Sequence, residues 1–256
     1  MQAIYRTGNI MYGLIIRDLM VRFGRQNIGF IWVVLEPMIL CSGVMTIWSL
    51  TKEPIVHGIP IIAFIVTGYM PLTVSRHFVS GMTALVRNNF SLLYHSPISH
   101  VHIIFARLIL EFLSTTFALL LILFVVITTG FVQVPVDLGL ALAGWLLASW
   151  HFGAIAMLTS VLIEYWHPAE KFVQPWQYLQ LPISGVFFMV DWMPSYAQKL
   201  LLWNPTVHAY EMFRAGFFGA EIVTHYDVSF LVGTNIVITL IAVLMVSSMR
   251  KFLEDG

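Results

Sequence analysis

The chain has 256 residues, of which 59% are hydrophobic and only 10% are charged, and its mean hydropathy is +0.84. This composition lies far from that of soluble domains and predicts an integral membrane protein. The 13 basic and 13 acidic residues balance, so the net charge gives no indication of a nucleic-acid partner. The single cysteine, Cys41, excludes an internal disulfide, and we interpret it as a small packing residue.

Six stretches of the chain are nearly free of charge, and each is about as long as the roughly 20 residues that a helix needs to cross a bilayer. We therefore predict an all-α integral membrane protein with six transmembrane helices, forming a single domain over residues 1–256 without a soluble catalytic part. The spans are predicted near residues 30–50, 59–80, 101–129, 138–162, 170–190 and 229–249.

Lysine and arginine are distributed unevenly between the two sides of the predicted bundle. Arginines cluster before the first span, and Arg250 and Lys251 follow the last one. Lys52, Lys199 and Arg214 fall on the opposite side. The positive-inside rule then places both termini in the cytoplasm, which agrees with an even number of spans.

Residues 10–27 show the spacing of an amphipathic helix before the first span. The apolar face carries Ile16, Leu19, Met20 and Phe23. The opposite face carries the charged residues Asp18, Arg22 and Arg25. Asp18 and Arg22 are also spaced as an i,i+4 ion pair. Such a helix lies along the membrane surface. Two roles stay open, which are anchoring of this segment in the membrane and contact with a partner protein.

Residues 88–97, between the second and third spans, predict a short cytoplasmic helix. Asn88 and Asn89 are suitable N-cap residues, and Pro97 ends the piece. Its exposed apolar side chains require a cover of lipid or of a partner's groove, and we favour the partner.

The segment 191–228 differs from the other connections because it is long, charged and interrupted by proline. Two helix-length pieces, 195–203 and 206–219, lie on either side of Pro205 and are too short to cross a bilayer. Their charges argue against exposure to hydrocarbon. We predict two short re-entrant helices that enter the outer face and return. The alternative is an ordinary outer loop with surface helices.

Polar side chains form stripes along three of the predicted spans. They are Ser42, Thr46 and Ser49 in the first span, Tyr69, Thr73, Arg76 and Ser80 in the second, and Gln174, Gln177, Gln180 and Ser184 in the fifth. Such stripes either join helices to one another or line a wet pathway. Arg76 favours a pathway, because a buried guanidinium needs an anionic or carbonyl partner. Its alternative is to extend its head group to the inner lipid headgroups.

Several motifs of enzymes are absent from the sequence. There is no G-x-x-x-x-G-K-[ST] phosphate loop and no G-x-S-x-G nucleophile motif. The pairs His100/His102 and Glu164/His167 are too sparse for a metal site. We expect neither enzymatic activity nor a cofactor in this chain, so energy for transport would come from another subunit. An intramembrane lipid-modifying transferase and a structural membrane scaffold are the alternatives from other classes.

Four stretches of the sequence resemble one family of membrane proteins. They are RDLMVRFGRQNIGFIWVVLEP at 17–37, LYHSPI at 93–98, PISGVFF at 182–188 and NPTVHAYEMFR at 204–214. In their order and spacing the chain resembles the permease subunits of type-2 ABC exporters of polysaccharides, and most closely those of capsular polysaccharide export. Permeases for O-antigen, teichoic acid, another lipid-linked glycan or a small amphiphile are the alternatives within transport.

The resemblance implies an exporter of lipid-linked polysaccharide in the bacterial inner membrane. Two copies of the chain would form a homodimer and bind two ATP-binding subunits, which would hold ATP and magnesium. A periplasmic co-polymerase and an outer-membrane exporter would continue the path. Residues 10–27 would form an interface helix, 88–97 a coupling helix that contacts the ATPase, and 191–228 an outer gate.

The resemblance also assigns residues to these parts. They are Arg17, Asp18, Arg22 and Arg25 in the interface helix, then Asn89, Phe90, Ser91, Leu92, Leu93, Tyr94, His95 and Pro97 in the coupling helix, and Trp192, Pro194, Asn204, Pro205, Glu211 and Arg214 in the gate.

A pathway for a sugar polymer needs weakly binding polar walls, together with aromatic faces for the C–H surfaces of the sugars. The residues predicted to line it are Trp32, Ser42, Thr46, Ser49, Tyr69, Thr73, Arg76, His77, Ser80, Gln174, Trp176, Gln177, Tyr178 and Gln180. Trp32 fits equally well as an interfacial belt residue. We also hypothesise that Arg76 and His77 guide the phosphate of a lipid carrier.

Overall fold

The computed structural model describes residues 2–23, 28–53, 55–83, 85–89 and 98–255, and these are nearly all helical. The helices are α1 (Gln2–Phe23), α2 (Ile28–Thr51), α3 (Ile61–Met82), α4 (Leu85–Asn88), α5 (His100–Thr128), α6 (Leu138–Tyr165), α7 (Glu170–Gln180), α8 (Ser195–Leu201), α9 (Pro205–Phe218) and α10 (Val228–Asp255). Short 3-10 turns occupy His167–Ala169, Leu181–Ile183, Val190–Trp192 and Gly219–Glu221.

Four helices within the described residues, α3, α5, α6 and α10, are long and apolar enough to cross a bilayer. The helix α2 adds a shorter apolar stretch, Met38–Thr51. The ends of α2, α3, α5 and α6 lie within three residues of the predicted spans. The nearly all-helical class with several membrane-span candidates is therefore confirmed.

The connection between α2 and α3 is a small antiparallel hairpin of β1 (Ile55–Val56) and β2 (Ile59–Pro60). His57 and Gly58 form its turn, and both have positive φ, at 50° and 82°. Two consecutive positive φ values are typical of the tight turns that match the twist of a hairpin.

The prediction of a continuous fifth helix over 170–190 is wrong. The helix α7 ends at Gln180 and has 11 residues, which is about 16 Å of helix and half of a bilayer core. A 3-10 turn that contains Pro182 follows, and Gly185 has a φ of 91°. The lack of charge predicted an apolar segment but not where its helix ends. The helix ends because Pro182 has no N–H to donate and Gly185 adopts a left-handed conformation.

The helix α6 is central, because it packs against α3, α9 and α10. Thr206, at the beginning of α9, contacts His151 in the middle of α6. At the other end of α9, the carbonyl of Gly216 accepts a hydrogen bond from the amide of Asp137, directly before α6. The buried helix α9 therefore lies along the first half of α6.

Small residues allow α6 and α9 to approach closely. A Cβ atom at Gly216 of α9 would overlap the backbone of Ala141, and one at Gly144 of α6 would lie 2.7 Å from the backbone of Phe213. Small residues at such crossings let helix backbones pack together where lipid gives no hydrophobic driving force.

Replacement of Gly216 tests this contact. Gly216→Ala is expected to lower the free energy of unfolding by about 1–3 kcal/mol, because backbone atoms would have to move. The matched control is Gly233→Ala in α10, where no atom lies within 4 Å of the added Cβ. That change is expected to be neutral or to stabilise by up to about 1 kcal/mol. Thermal unfolding in detergent measures both, and equal stability of the two variants would contradict the close contact.

Candidate functional site

The structure brings part of the predicted pathway together in one place, a recess between α3, α6, α7 and α9. We call it the Arg76 recess. Its lining residues are Leu72, Ser75, Arg76, Phe152, Gln177, Gln180, Leu181, Ser184, Thr206 and Tyr210. The guanidinium of Arg76 lies 5.5 Å from the ring centroid of Tyr178. Polar groups from two predicted stripes, on α3 and α7, therefore meet.

The remaining polar residues of α3 do not line the Arg76 recess. Tyr69 lies in a separate apolar recess with Trp48 and Phe187. The hydroxyl of Thr73 donates to the carbonyl of Tyr69 within the same helix. The predicted stripe of α3 thus divides between two environments.

His77 faces away from the Arg76 recess and towards α5. Its Nδ1 atom lies 3.6 Å from Oε2 of the buried Glu111. Ser80, an exposed residue of α3, donates to the carbonyl of His77. Adjacent helix positions are rotated by about 100°, which separates Arg76 from His77. Arg76 and His77 therefore have different neighbours, and their joint guidance of a phosphate stays a prediction.

The stripe of α2 lies on an exposed face. Thr46 donates its hydroxyl to the carbonyl of Ser42, and Ser49 donates to that of Thr46, so these groups bond within their own helix. Gln174 and Trp176 are exposed on α7. The side chain of Trp32 lies outside the described residues.

A second polar site lies in the predicted gate, where Arg214 of α9 is fully buried. Its guanidinium donates hydrogen bonds to the carbonyls of Gly185 at 2.6 Å, Val186 at 2.7 Å and Phe188 at 2.8 Å. The ring of Phe64 lies 4.2 Å from the guanidinium carbon. Arg214 therefore satisfies carbonyls that the break after α7 leaves without helical partners.

Glu211, one helical turn before Arg214, binds the amides of the same region. Its Oε1 accepts from the amide of Val190 at 3.1 Å, and its Oε2 accepts from the amide of His225 at 2.9 Å. The imidazole of His225 lies 3.2 Å from the carboxylate of Asp191. Both charged residues of α9 thus hold the irregular backbone on either side of the helix.

The other predicted gate residues fix the ends of the short helices. Trp192 packs between His57 of the hairpin, at 4.5 Å, and Phe64 of α3, at 5.0 Å. Pro194 precedes α8 and Pro205 begins α9.

Asn204 caps α9. Its Oδ1 accepts from the amide of Thr206, and its Nδ2 donates to the carbonyl of Ile183. The turn between α8 and α9 is therefore tied to the end of the broken fifth segment.

A third polar site joins the N-terminal helix to the bundle. Arg17 of α1 donates to Asp18 at 2.6 Å and also to Asn89, which follows α4. Arg107 of α5 lies 3.9 Å from Asp18 and 3.0 Å from Glu111. We call these five residues the α1–α5 cluster.

The α1–α5 cluster corrects the prediction for one residue of the interface helix. The helical pattern places Asp18 on the charged face opposite the membrane, but it is only 9% exposed and contacts Arg17 and Arg107. Met20, placed on the membrane face, is 69% exposed, as a side chain that faces lipid would be. The helix also begins at Gln2 rather than near residue 10. The side chains of Arg22 and Arg25 lie outside the described residues, and so do the coupling residues Phe90, Ser91, Leu92, Leu93, Tyr94, His95 and Pro97.

Two groups in these sites were missed by reasoning from the sequence. Arg107 and Glu111 are spaced by four residues in an otherwise apolar span, and this i,i+4 pattern was the available signal. His151 of α6 contacts Asn235 of α10 at 2.7 Å and Thr206 of α9 at 3.3 Å. A lone histidine and a lone asparagine in two apolar helices gave no indication that they meet.

The chain is similar to one family of transporters and to several bacterial proteins. The profile of the ABC-2 type transporter family matches residues 11–218. The capsule polysaccharide export inner-membrane protein BexB of Haemophilus influenzae is 30% identical over 253 residues, which cover 99% of this chain and 96% of BexB.

Two further relatives come from other bacteria. The capsule polysaccharide export inner-membrane protein CtrC of Neisseria meningitidis serogroup B is 30% identical over 263 aligned residues, 99% of each chain. The polysialic acid transport protein KpsM of Escherichia coli is 24% identical over 202 residues, 78% of each chain. Since the family match covers most of the helical bundle and the similarity extends over the whole chain, the protein belongs to the ABC-2 type transporter family.

Proposed function

We propose that this chain is the membrane-embedded permease subunit of an ATP-driven exporter that moves lipid-linked capsular polysaccharide across the bacterial inner membrane. The observation that carries this proposal is the similarity to capsule export inner-membrane proteins over 99% of the chain. The Arg76 recess supports it, because polar side chains and the aromatic Tyr210 and Phe152 line a site inside an otherwise apolar bundle.

The proposed topology has six crossings with both termini in the cytoplasm. The fifth crossing consists of α7 and the irregular segment after it. In α7, Gln177 lines the Arg76 recess, and at the other end of the segment Trp192 lies beside the hairpin. The helices α8 and α9 form a re-entrant pair. Its depth is supported by the contact of Thr206 with the middle of α6. Protein covers the irregular backbone there, as a membrane location requires.

Two copies of the chain are proposed to pair and to bind two ATP-binding subunits, which hydrolyse ATP with magnesium. Exposed apolar side chains on α2 and α7 support the pairing, and they include Leu40, Ile47, Phe172 and Leu179. A periplasmic co-polymerase and an outer-membrane exporter complete the proposed assembly. This chain supplies the pathway and performs no chemistry on the polymer.

The α1–α5 cluster supports a route by which ATP hydrolysis moves the bundle. Asn89 lies at the beginning of the proposed coupling helix and accepts a hydrogen bond from Arg17 of α1. Asp18 and Arg107 continue the contact to Glu111, which lies beside His77 of α3. A displacement of the coupling helix would therefore reach α3 and α5 through paired charges.

Deletion of the gene for this chain tests the proposed function. Surface polysaccharide is expected to disappear and lipid-linked polymer to accumulate inside the cell, because the inner-membrane step is removed. Immunoblots of surface and cytoplasmic polymer measure both, with a plasmid-borne copy as the control. Unchanged surface polymer after deletion would contradict the proposal.

Asp18→Asn tests the coupling route. The charge contacts of Asp18 with Arg17 and Arg107 weaken in this variant, so export per ATP hydrolysed is expected to fall about fivefold or more. Export and ATP hydrolysis are measured together in vesicles with the ATPase present. The exposed Glu221→Gln is the matched control, and equal export by the two variants would contradict the route.

Leu93→Glu tests the coupling helix that the sequence predicts. A buried and unpaired carboxylate at the ATPase contact is expected to cost about 3–5 kcal/mol and to release the ATPase during purification. Leu93→Met keeps the side chain apolar and serves as the control. Equal retention of the ATPase by both variants would argue against this contact.

A further inference from the structure

We propose that the Arg76 recess is a binding subsite for an oxyanion, namely a carboxylate or phosphate group of the exported substrate. The inference rests on the proposed function, because it names the charge of the substrate group that the pathway recognises. The acidic group has two conceivable sources, an acidic sugar of the polymer and the phosphate of its lipid.

The arginines of the protein differ in their partners. Four have described side chains, and three of these contact carboxylates or backbone carbonyls; the three are Arg17, Arg107 and Arg214. For Arg76, the described part of the chain supplies neither an oxygen acceptor at hydrogen-bond distance nor a carboxylate at ion-pair distance. Its recorded contact is the ring face of Tyr178. A half-buried guanidinium with its N–H donors unused matches a ligand with several acceptor oxygens.

Other polar side chains surround Arg76 in the recess. The Nε2 atom of Gln177 is buried, and among the described residues it has no hydrogen-bond partner. Gln180 and Ser75 add an amide and a hydroxyl to the lining, whereas the hydroxyl of Ser184 donates to the carbonyl of Leu181. None of the residues that line the recess carries a carboxylate. The recess therefore presents donors that converge, and an anion would complete their hydrogen bonds.

The shape of the recess fits one group at a time. Its cavity volume is about 10 Å³, which is room for about one water-sized group, so one oxygen of an acidic group can enter while the rest of the substrate stays outside. Leu72, Phe152 and Tyr210 provide apolar walls. A site with one cation and no second charge holds an acidic group weakly enough for a polymer to move on, as a conduction path requires.

The experiment uses the full-length chain in nanodiscs of phosphatidylcholine. Labelled probes are titrated and their fluorescence anisotropy is recorded. The sugar arm compares a hexamer of glucuronic acid with a hexamer of glucose. The lipid arm compares dodecyl phosphate with dodecyl maltoside. In at least one arm, the anionic probe is expected to bind about tenfold or more tightly than its neutral counterpart, and its affinity is expected to fall as salt is added.

Variants of the recess assign the effect to Arg76. Arg76→Gln is expected to remove the preference for the anionic probe and its salt dependence, whereas Arg76→Lys keeps much of both. Lys171→Gln removes an exposed positive charge from α7 and is the control for net charge. Gln177→Glu places a carboxylate in the recess and is expected to repel the anion, and Gln133→Glu on an exposed turn is its matched control. Thermal unfolding confirms that each variant is folded.

The outcomes separate this inference from the proposed function. An anionic preference that depends on Arg76 in the sugar arm or in the lipid arm supports the subsite and identifies the source. Equal binding of charged and neutral probes in both arms, or a preference that persists in Arg76→Gln, overturns it. Neither of these results depends on the deletion experiment. Equal binding of charged and neutral probes therefore rejects the subsite and leaves the exporter intact, whereas unchanged surface polymer after deletion rejects the exporter.

Discussion

The backbone from Ser184 to Met189 is not helical, so its carbonyls and amides need hydrogen-bond partners from elsewhere in the protein. The structure resolves this constraint with two charged residues of one buried helix. Arg214 donates to three carbonyls of the segment, and Glu211 accepts from the amide of Val190, which directly follows the segment. Because these partners sit one turn apart on α9, the irregular segment and the helix depend on each other.

This dependence explains the position of α9 in the fold. A helix that carries two charges is stable inside an apolar bundle only if the charges are matched there. The charges of α9 are matched by backbone, and glycine contacts bring the helix directly against α6. Thr206, His151 and Asn235 then connect α9 with α6 and α10. The part of the molecule around α9 is thus joined by polar contacts as well as by apolar packing.

The two ends of the bundle use the same chemistry for different tasks. At the end that carries Glu211 and Arg214, charged side chains hold irregular backbone in place. At the end that carries α1, the charges pair with one another, so Asp18 and Glu111 connect helices that are distant in sequence. Among the described residues, Arg76 contacts neither a backbone carbonyl nor a carboxylate. Arg17, Arg107 and Arg214 find their hydrogen-bond acceptors within the protein. Arg76 differs from them in this respect, and this difference favours a ligand at its site.

The sequence by itself determined the membrane class, the bounds of four long helices and the two short helices around Pro205, because hydrophobic length and proline act locally. The order and spacing of its motifs indicated the family. The sequence also brought Arg76, Gln177 and Gln180 into one group of candidates. Only the tertiary structure decided that α7 ends at Gln180, that Asp18 is buried against Arg107, and that Arg76 and His77 contact different helices. The reason is physical: helical periodicity gives the face on which a side chain lies, but the neighbouring helix that meets this face is set by packing between distant segments.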